Sequence, residues 1–245
     1  MMDGIALPDL TMFLAATFLA SALAGLAGFA FGLLAAAFWL HILSPLQTTT
    51  LIVMFGLIVQ GVSVWRVRRA LSVARLWPFL VGAVLGVPIG VEFLRGGDPS
   101  LIRRGVGIVL LLFSFYAMAR PRPGGVAAGG RAADGAVGLL SGVLGGATGL
   151  AGILPVVWCN LRGWPKDEQR AVFQTVAVAI FVATALWLRV EGSIAEDTVW
   201  LAVIGLPAVL AGTWTGLRLY GRLDDAAFRY AVLALLALSG VVLMW

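Results

Sequence analysis

Gly25-Leu26-Ala27-Gly28-Phe29-Ala30-Phe31-Gly32 is the stretch whose reading decides the fold. It returns as Gly142-Val143-Leu144-Gly145-Gly146-Ala147-Thr148-Gly149, with three glycines in register. Glycine is common in this chain (31 of 245 residues), so that match alone proves little. Further correspondences follow in the same order. Gln47 and Trp65 recur as Gln169 and Trp187, Gly86 and Gly90 as Gly212 and Gly216, and Asp98 with Arg103 as Asp224 with Arg229. The offset drifts only from 117 to 126 residues along the chain, as a duplication with small insertions gives. A duplicated apolar chain with a glycine break at the head of each copy is the pattern of a two-repeat transporter.

The surrounding composition fixes the compartment. Apolar residues make up 61% of the chain and charged residues 12%, with a mean hydropathy of +1.00. Soluble domains carry about a quarter charged residues, so this is an integral membrane protein. The formal charge of +5 does not indicate nucleic acid, because the arginines lie in short stretches between apolar spans, where they act as topology signals. The single cysteine, Cys159, excludes an intrachain disulfide and a multi-cysteine metal site. No cofactor or metal is expected. No cleavable signal peptide is expected either, since Asp3 and Asp9 precede the first apolar run without any Lys or Arg.

Three ordinary spans are predicted in each half: 46–65, 74–94 and 101–119, then 170–188, 197–217 and 226–245. Each is near the roughly 20 residues a helix needs to cross the hydrocarbon. The heads differ. Residues 10–43 and 135–161 are apolar runs whose helices would be about 50 and 40 Å long at ~1.5 Å per residue, too long for one untilted crossing and short for two. With glycines in the middle of each, the expectation is a discontinuous helix or hairpin that turns inside the membrane.

Loop charge tests this. Arg66, Arg68, Arg69 and Arg75 place the loop after the 46–65 span in the cytoplasm. Counting crossings puts 95–100 outside and 120–133, with Arg120, Arg122 and Arg131, inside. A single crossing by 135–161 would put Glu191, Glu196 and Asp197 inside and Arg162, Lys166 and Arg170 outside, against the positive-inside rule. A hairpin returning to its own side reverses both and leaves one exception: Arg95, Arg103 and Arg104 on the outer face. Each half then crosses an odd number of times. The predicted fold is an all-α integral membrane protein of two inverted-topology repeats, each a glycine-broken helical hairpin followed by three transmembrane helices. The repeats span 1–119 and 134–245, joined by a Pro- and Gly-rich cytoplasmic linker at 120–133, with both termini outside.

The glycine-rich heads, each followed by a Pro, resemble the TauE/SafE family of sulfite and organosulfonate exporters. The matching pieces are Gly25-x-x-Gly28-x-x-x-Gly32 and Gly138-Leu139-Leu140-Ser141-Gly142-x-x-Gly145-Gly146-x-x-Gly149-x-x-x-x-Pro155, with Gly86-Val87-Pro88-Ile89-Gly90 late in the first copy. The likeness spans nearly the whole chain. It departs where that family carries consecutive glycines, here Phe29-Ala30-Phe31-Gly32 and Gly146-Ala147-Thr148-Gly149. The resemblance implies a multi-pass protein of the inner (plasma) membrane that transports a small anion, often sulfur-containing.

A broken helix leaves backbone groups without partners, and in lipid these must be satisfied by protein, water or substrate. Half-helix N-termini are partially positive, so two pointing inward make an anion site without a buried arginine. The candidate substrate-binding residues are therefore Gly28, Phe29 and Gly32 in the first head, and Gly145, Gly146, Thr148 and Gly149 in the second. Polar residues opening the next span form a second set: Gln47, Thr48, Gln174 and Thr175, with Asn160 before them. Amides and hydroxyls bind an oxyanion without the cost of burying a charge. The competing roles are helix packing for the glycines, helix capping for Gln47 and Thr48, and helix termination for Asn160. Gly86/Gly90 and Gly212/Gly216 sit at i, i+4 and read as packing positions. His41, the only histidine, and Glu92, a carboxylate near the end of its span, are proton-coupling candidates; interfacial placement for His41 and a pair with Arg95 for Glu92 are the structural alternatives.

No catalytic residue is expected. An intramembrane protease built on Ser141 would need His41 within hydrogen-bond reach as its base. An anion channel or a non-transporting membrane partner is the remaining alternative to a carrier. The partners expected are the anion and the bilayer, with no nucleic acid, and a homodimer is admitted as an assembly state.

Overall fold

The computed structural model describes residues 7–27, 31–67, 69, 71–119, 130–219, 236–238 and 240–244. Among these the chain is helical throughout: α1 (Leu7–Ala27), α2 (Phe31–Trp39), α3 (Pro45–Val67), α4 (Val73–Gly96), α5 (Pro99–Ala119), α6 (Gly130–Thr148), α7 (Ile153–Leu161), α8 (Lys166–Val190) and α9 (Glu196–Leu219). Six of them are long and apolar enough to cross a membrane: α1, α3, α4, α5, α8 and α9. Leu85, Ile89, Leu112, Phe115, Val203 and Leu210 face outward with more than a third of their surface exposed, which an aqueous protein could not sustain as patches and a bilayer solvates. The predicted spans match α3, α4, α5, α8 and α9 to within four residues at each end. Most of the 226–245 span, with Asp224 and Arg229, lies outside the described residues. α6 starts at Gly130, inside the stretch read as linker.

The second head is interrupted, and the first is described on either side of residues 28–30. α1 ends at Ala27 and α2 resumes at Phe31, and α6 ends at Thr148 and α7 resumes at Ile153. Each short return helix comes back beside the start of the long one. Trp39, fully buried at the end of α2, packs its ring 5.1 Å from that of Phe13 near the start of α1, with Phe31 and Phe55 each 6.0 Å away. In the second head Arg162, just past α7, donates to Asp134 at the start of α6 at 2.8 Å. The segment 130–162 therefore enters and leaves on one face.

Two further ion pairs fix how α4 and α8 run. Arg75 at the start of α4 pairs with Glu168 at the start of α8, and Arg95 at the end of α4 lies 2.8 Å from Glu191 at the end of α8. These helices are parallel, and the turns after them share a face. α3 leads from the face of His41 and Arg103 to the Arg75 face, so it runs opposite to α8.

The closest helix contacts are built from glycine. Along α4, a Cβ on Gly82, Gly86 or Gly90 would overlap the carbonyl oxygens of Gly135, Leu139 and Val143 in α6; Gly138 and Gly142 meet Phe79 and Ala83 in return. Along α9, Gly212 and Gly216 meet the carbonyls of Phe18 and Ala22 in α1, and Gly25 sits against Thr213 and Gly216. Both pairs ascend together in sequence, so each is parallel. In lipid, where apolar burial gives helices no preference for each other, such backbone approach is what holds them. Three buried hydroxyls are settled locally, Thr17 on Phe13, Ser21 on Thr17 and Ser114 on Leu110, each donating to a carbonyl one turn back.

The element boundaries correct the register in which the halves were matched. Equivalent helix starts fall at 45 and 166 and at 73 and 196, an offset of 121 to 123 residues. Gly28 thus corresponds to Gly149, and the three-glycine match at 117 is slipped by four residues. Glycines spaced for helix packing look alike when slid by one turn, so the motif could be matched to itself a turn out of place. Gly86 and Gly212, matched at 126, are slipped by three for the same reason.

Candidate functional site

The second head ends in a turn only glycine adopts freely. Gly149 has φ +74°, and a Cβ there would lie 2.6 Å from Cγ2 of Ile52 on α3. Ile52 therefore seats directly on the break. The first head arrives at the same point: a Cβ on Gly32, the second residue of α2, would be 3.2 Å from the Gly149 carbonyl oxygen and 3.4 Å from Leu150. The start of α2 thus packs against the break at Gly149.

Side chains meet part of the backbone at this junction. Thr49 Oγ1 on α3 donates to the Ala147 carbonyl at 3.3 Å, tying α3 to the end of α6. Thr148 Oγ1 donates back to Leu144 and accepts from the Leu150 N–H at 3.3 Å. At the start of α7 no side chain caps the helix; the N-cap position is Gly152, and Pro155 in the first turn has no N–H. The amide end of α7, positive by its dipole, thus opens toward the junction with no carboxylate or hydroxyl of its own on it.

The other expected site residues divide by position. Gly28 and Phe29 lie outside the described residues. Gly145 and Gly146 lie within α6, Gly145 against Ile180 of α8 and Gly146 against Val87 and Val91 of α4. Thr48 is 1% exposed with a hydroxyl that has no hydrogen-bond partner, and the buried Thr175 hydroxyl has none. Gln174 is buried beside Thr175 in sequence. Gln47 sits at the α3 N-terminus in a capping box: its Oε1 accepts from the Ser44 N–H and hydroxyl, and Ser44 Oγ accepts from the Gln47 N–H. Gln169, its partner by register, donates to Trp164 O at the start of α8. Asn160 is in the last turn of α7, where its carbonyl accepts from Gly163. The junction thus gathers Gly32, Thr148 and Gly149, while Gln47 and Asn160 sit at helix ends.

His41 and Glu92 lie at the face opposite the Arg75–Glu168 pair. Glu92 shares Arg95 with Glu191 and accepts from Trp187 Nε1 at 3.4 Å. His41, in the turn after α2, has its pKa lowered by burial and by the neighbouring Arg103 guanidinium. Ser141 donates to Val137 within α6, and His41 lies in a separate cleft, so the structure does not bring the two together.

Two features were not read from the sequence. Ile52 is an ordinary apolar residue in an apolar helix, and nothing marks it as the side chain covering Gly149. The Asp134–Arg162 pair was legible in principle, because opposite charges bracket the apolar run 135–161. With side chains only 9% and 12% exposed, it closes the mouth of the hairpin; Trp158 Nε1 also donates to Asp134 at 2.8 Å, and Arg162 lies over the Trp158 ring.

Compared with known protein families, residues 13–243 match the model of the sulfite exporter TauE/SafE family. The chain belongs to that family. The match takes in both heads, the linker and all but the ends of the chain, so the glycine motifs and the membrane helices belong to one family unit. This TauE/SafE chain is a multi-pass membrane protein of transporter type, working in lipid on a small molecule. Comparisons with curated proteins and with solved structures gave no match.

Proposed function

We infer that this TauE/SafE protein carries a small oxidised-sulfur anion, sulfite or an organosulfonate, across the plasma membrane by alternating access, without catalysis. The anion would lie between two glycine-broken hairpins belonging to inverted repeats, 1–119 and 134–245, joined by the linker 120–133. Family membership supports the substrate class. The observation that carries the site is the close approach of Gly32, where an added Cβ would lie 3.2 Å from the Gly149 carbonyl oxygen, so that the start of α2 from the first half meets the break in the second.

The inverted arrangement is supported by how partners exchange. α1 packs along α9 as α6 packs along α4, both parallel, while α3 and α8 run in opposite directions between them. A two-fold axis in the membrane plane relates such pairs. The basic loops around Arg75 and Arg162 would face the cytoplasm.

The α7 amide end at the junction and the unpartnered hydroxyls of Thr48 on α3 and Thr175 on α8 are donors suited to sulfur oxygens; Thr148, whose hydroxyl proton is held by the Leu144 carbonyl, would become one on releasing it. Gln174 belongs to the same proposed set, and so do Gly145 and Gly146 as backbone neighbours. With Ile52 seated on Gly149 the junction is closed, so admitting an anion requires α3 to withdraw from the break. Each face carries one α4–α8 ion pair, Arg75–Glu168 or Arg95–Glu191, so opening a face breaks its own pair and spares the other. Glu92, which shares Arg95 with Glu191, and His41 are the proton-coupling candidates on that face.

A thermal-shift screen of purified protein with sulfite, thiosulfate, sulfate, sulfoacetate and small carboxylates tests the reading, since a ligand bound to the folded state raises its apparent stability. Sulfite or a sulfonate is expected to shift the wild type and to leave a folded Gly149→Leu variant unshifted. Stabilisation by none of the sulfur anions, or equal stabilisation of the variant, would overturn it.

A further inference from the structure

On the face opposite Arg75 and Arg162, the turn after α2, the start of α5 and the chain's final turn enclose a cleft of about 510 Å³. Its walls are Leu40, His41, Asp98, Ser100, Arg103 and Arg104, closed on one side by Val242 and Leu243. This is where three arginines stand against the positive-inside distribution of the rest of the chain. Arg95 is explained by its two glutamates. Arg103 and Arg104 are not: among the described residues neither forms a salt bridge.

The charge in the cleft is positive and largely uncommitted. Among the described residues Asp98 is the one lining carboxylate, and it caps α5, accepting from the Ser100 N–H at 2.8 Å and the Ser100 hydroxyl at 2.7 Å. Arg103 reaches the Leu43 carbonyl with one Nη at 3.4 Å, while its Nε is shielded from solvent with no acceptor. Arg104 is exposed and lies close enough to Asp98 to influence its charge, without a direct pair. A half-buried guanidinium with an unmet donor, a second guanidinium one residue on and an imidazole across the gap form a receptor for a compact oxyanion.

We propose that this cleft binds a small sulfur oxyanion, sulfite or an alkyl sulfonate, through Arg103 and Arg104, as an outer station distinct from the glycine junction. Its role as a station on a transport route rests on the carrier reading; its capacity to bind does not. The burial and the Arg103 field that hold His41 neutral have a counterpart here: an anion seated on the arginines relieves that field, so the imidazole takes up a proton more readily.

His41 is the only histidine in the chain, so its ring signal reports on the cleft without ambiguity. Tag-free protein with ¹³C-labelled histidine, in nanodiscs of phosphatidylcholine alone, is titrated with sodium methanesulfonate or sodium sulfite and compared with sodium chloride at equal ionic strength. The expected result is a saturable His41 shift with a raised titration midpoint for both sulfur anions and not for chloride. Arg104→Gln, at an exposed position that folding does not require, should weaken the apparent affinity by about tenfold or more. Identical behaviour in chloride, or unchanged affinity in R104Q, would overturn the proposal. A lipid headgroup offers the same chemistry: if phosphatidylglycerol discs reproduce the shift without added anion and abolish the sulfite response, the cleft is a lipid site and the proposal fails. Flux separates it from the carrier reading, because transport with a silent His41 sinks only the cleft, whereas a responsive His41 without transport sinks only the carrier.

Discussion

Replacing Gly149 by Ala perturbs the point where both heads and α3 converge, and the structure gives the size of the effect in two parts. The backbone at φ +74° costs an L-residue about 1–2 kcal/mol. The added Cβ would sit 2.6 Å from Ile52 Cγ2 and 2.9 Å from Ile52 Cβ, an overpacking worth about 1–3 kcal/mol in a filled interior. The total, about 2–5 kcal/mol, is large beside the ~5–15 kcal/mol that holds a typical domain. Ile52→Ala in the same chain removes the 2.6 Å contact but keeps its own Cβ at 2.9 Å, and it leaves the dihedral strain untouched. The double variant should therefore recover only part of the packing share. Thermal unfolding in detergent of the wild type, both single variants and the double variant gives the coupling between the two positions. A Gly149→Ala protein as stable as wild type, or a double variant whose loss is the plain sum of the single losses, would refute the placement of Ile52 on the break.

Four other outcomes are expected. Thr49→Val removes the donor to the Ala147 carbonyl and should cost about 0.5–1.5 kcal/mol in the same unfolding assay. Gln47→Ala breaks the capping box with Ser44 and should cost about 1 kcal/mol while leaving the KM for sulfite uptake unchanged; a raised KM would return Gln47 to the binding site. Asp134→Asn strands Arg162 at the hairpin mouth and should cost about 3–5 kcal/mol, part of it recovered by adding Arg162→Gln. For His41 the folded pKa lies below its unfolded value near 6.5, so the folded state binds fewer protons. That contribution is intact above about pH 6.5 and is lost as pH falls through the folded pKa. Unfolding temperatures measured between pH 5 and 8 should fall more steeply on the acid side in wild type than in His41→Gln.

The sequence carried the membrane class, the described spans and the break in the second head because these rest on length, apolar content and loop charge, which need no knowledge of neighbours. The same-face return of 130–162 was readable from Arg162, Lys166 and Arg170 against Glu191 and Glu196. Register was not. Glycines along α4, α6 and α9 recur every three or four residues because each lines a helix contact, and such a ladder matches itself equally well one turn away. Helix starts, offset by 121 to 123 residues between the halves, carry no such ambiguity. At the junction, Gly149 was legible as a break residue, but its cover by Ile52 and the link from Thr49 to Ala147 depend on how α3 docks against the second head. That contact spans nearly a hundred residues of sequence. Gln47 shows the opposite case: its amide suits an oxyanion in principle, yet Ser44 three residues earlier is the local partner that occupies it.

The most direct test of the central claim is counterflow of ³⁵S-sulfite into proteoliposomes preloaded with excess unlabelled sulfite. A carrier that alternates access to a site between the heads gives a transient accumulation of label above equilibrium that saturates with external sulfite, and Gly149→Leu abolishes it. Flux that rises linearly without overshoot, or label that enters no faster than in protein-free vesicles, would contradict the account.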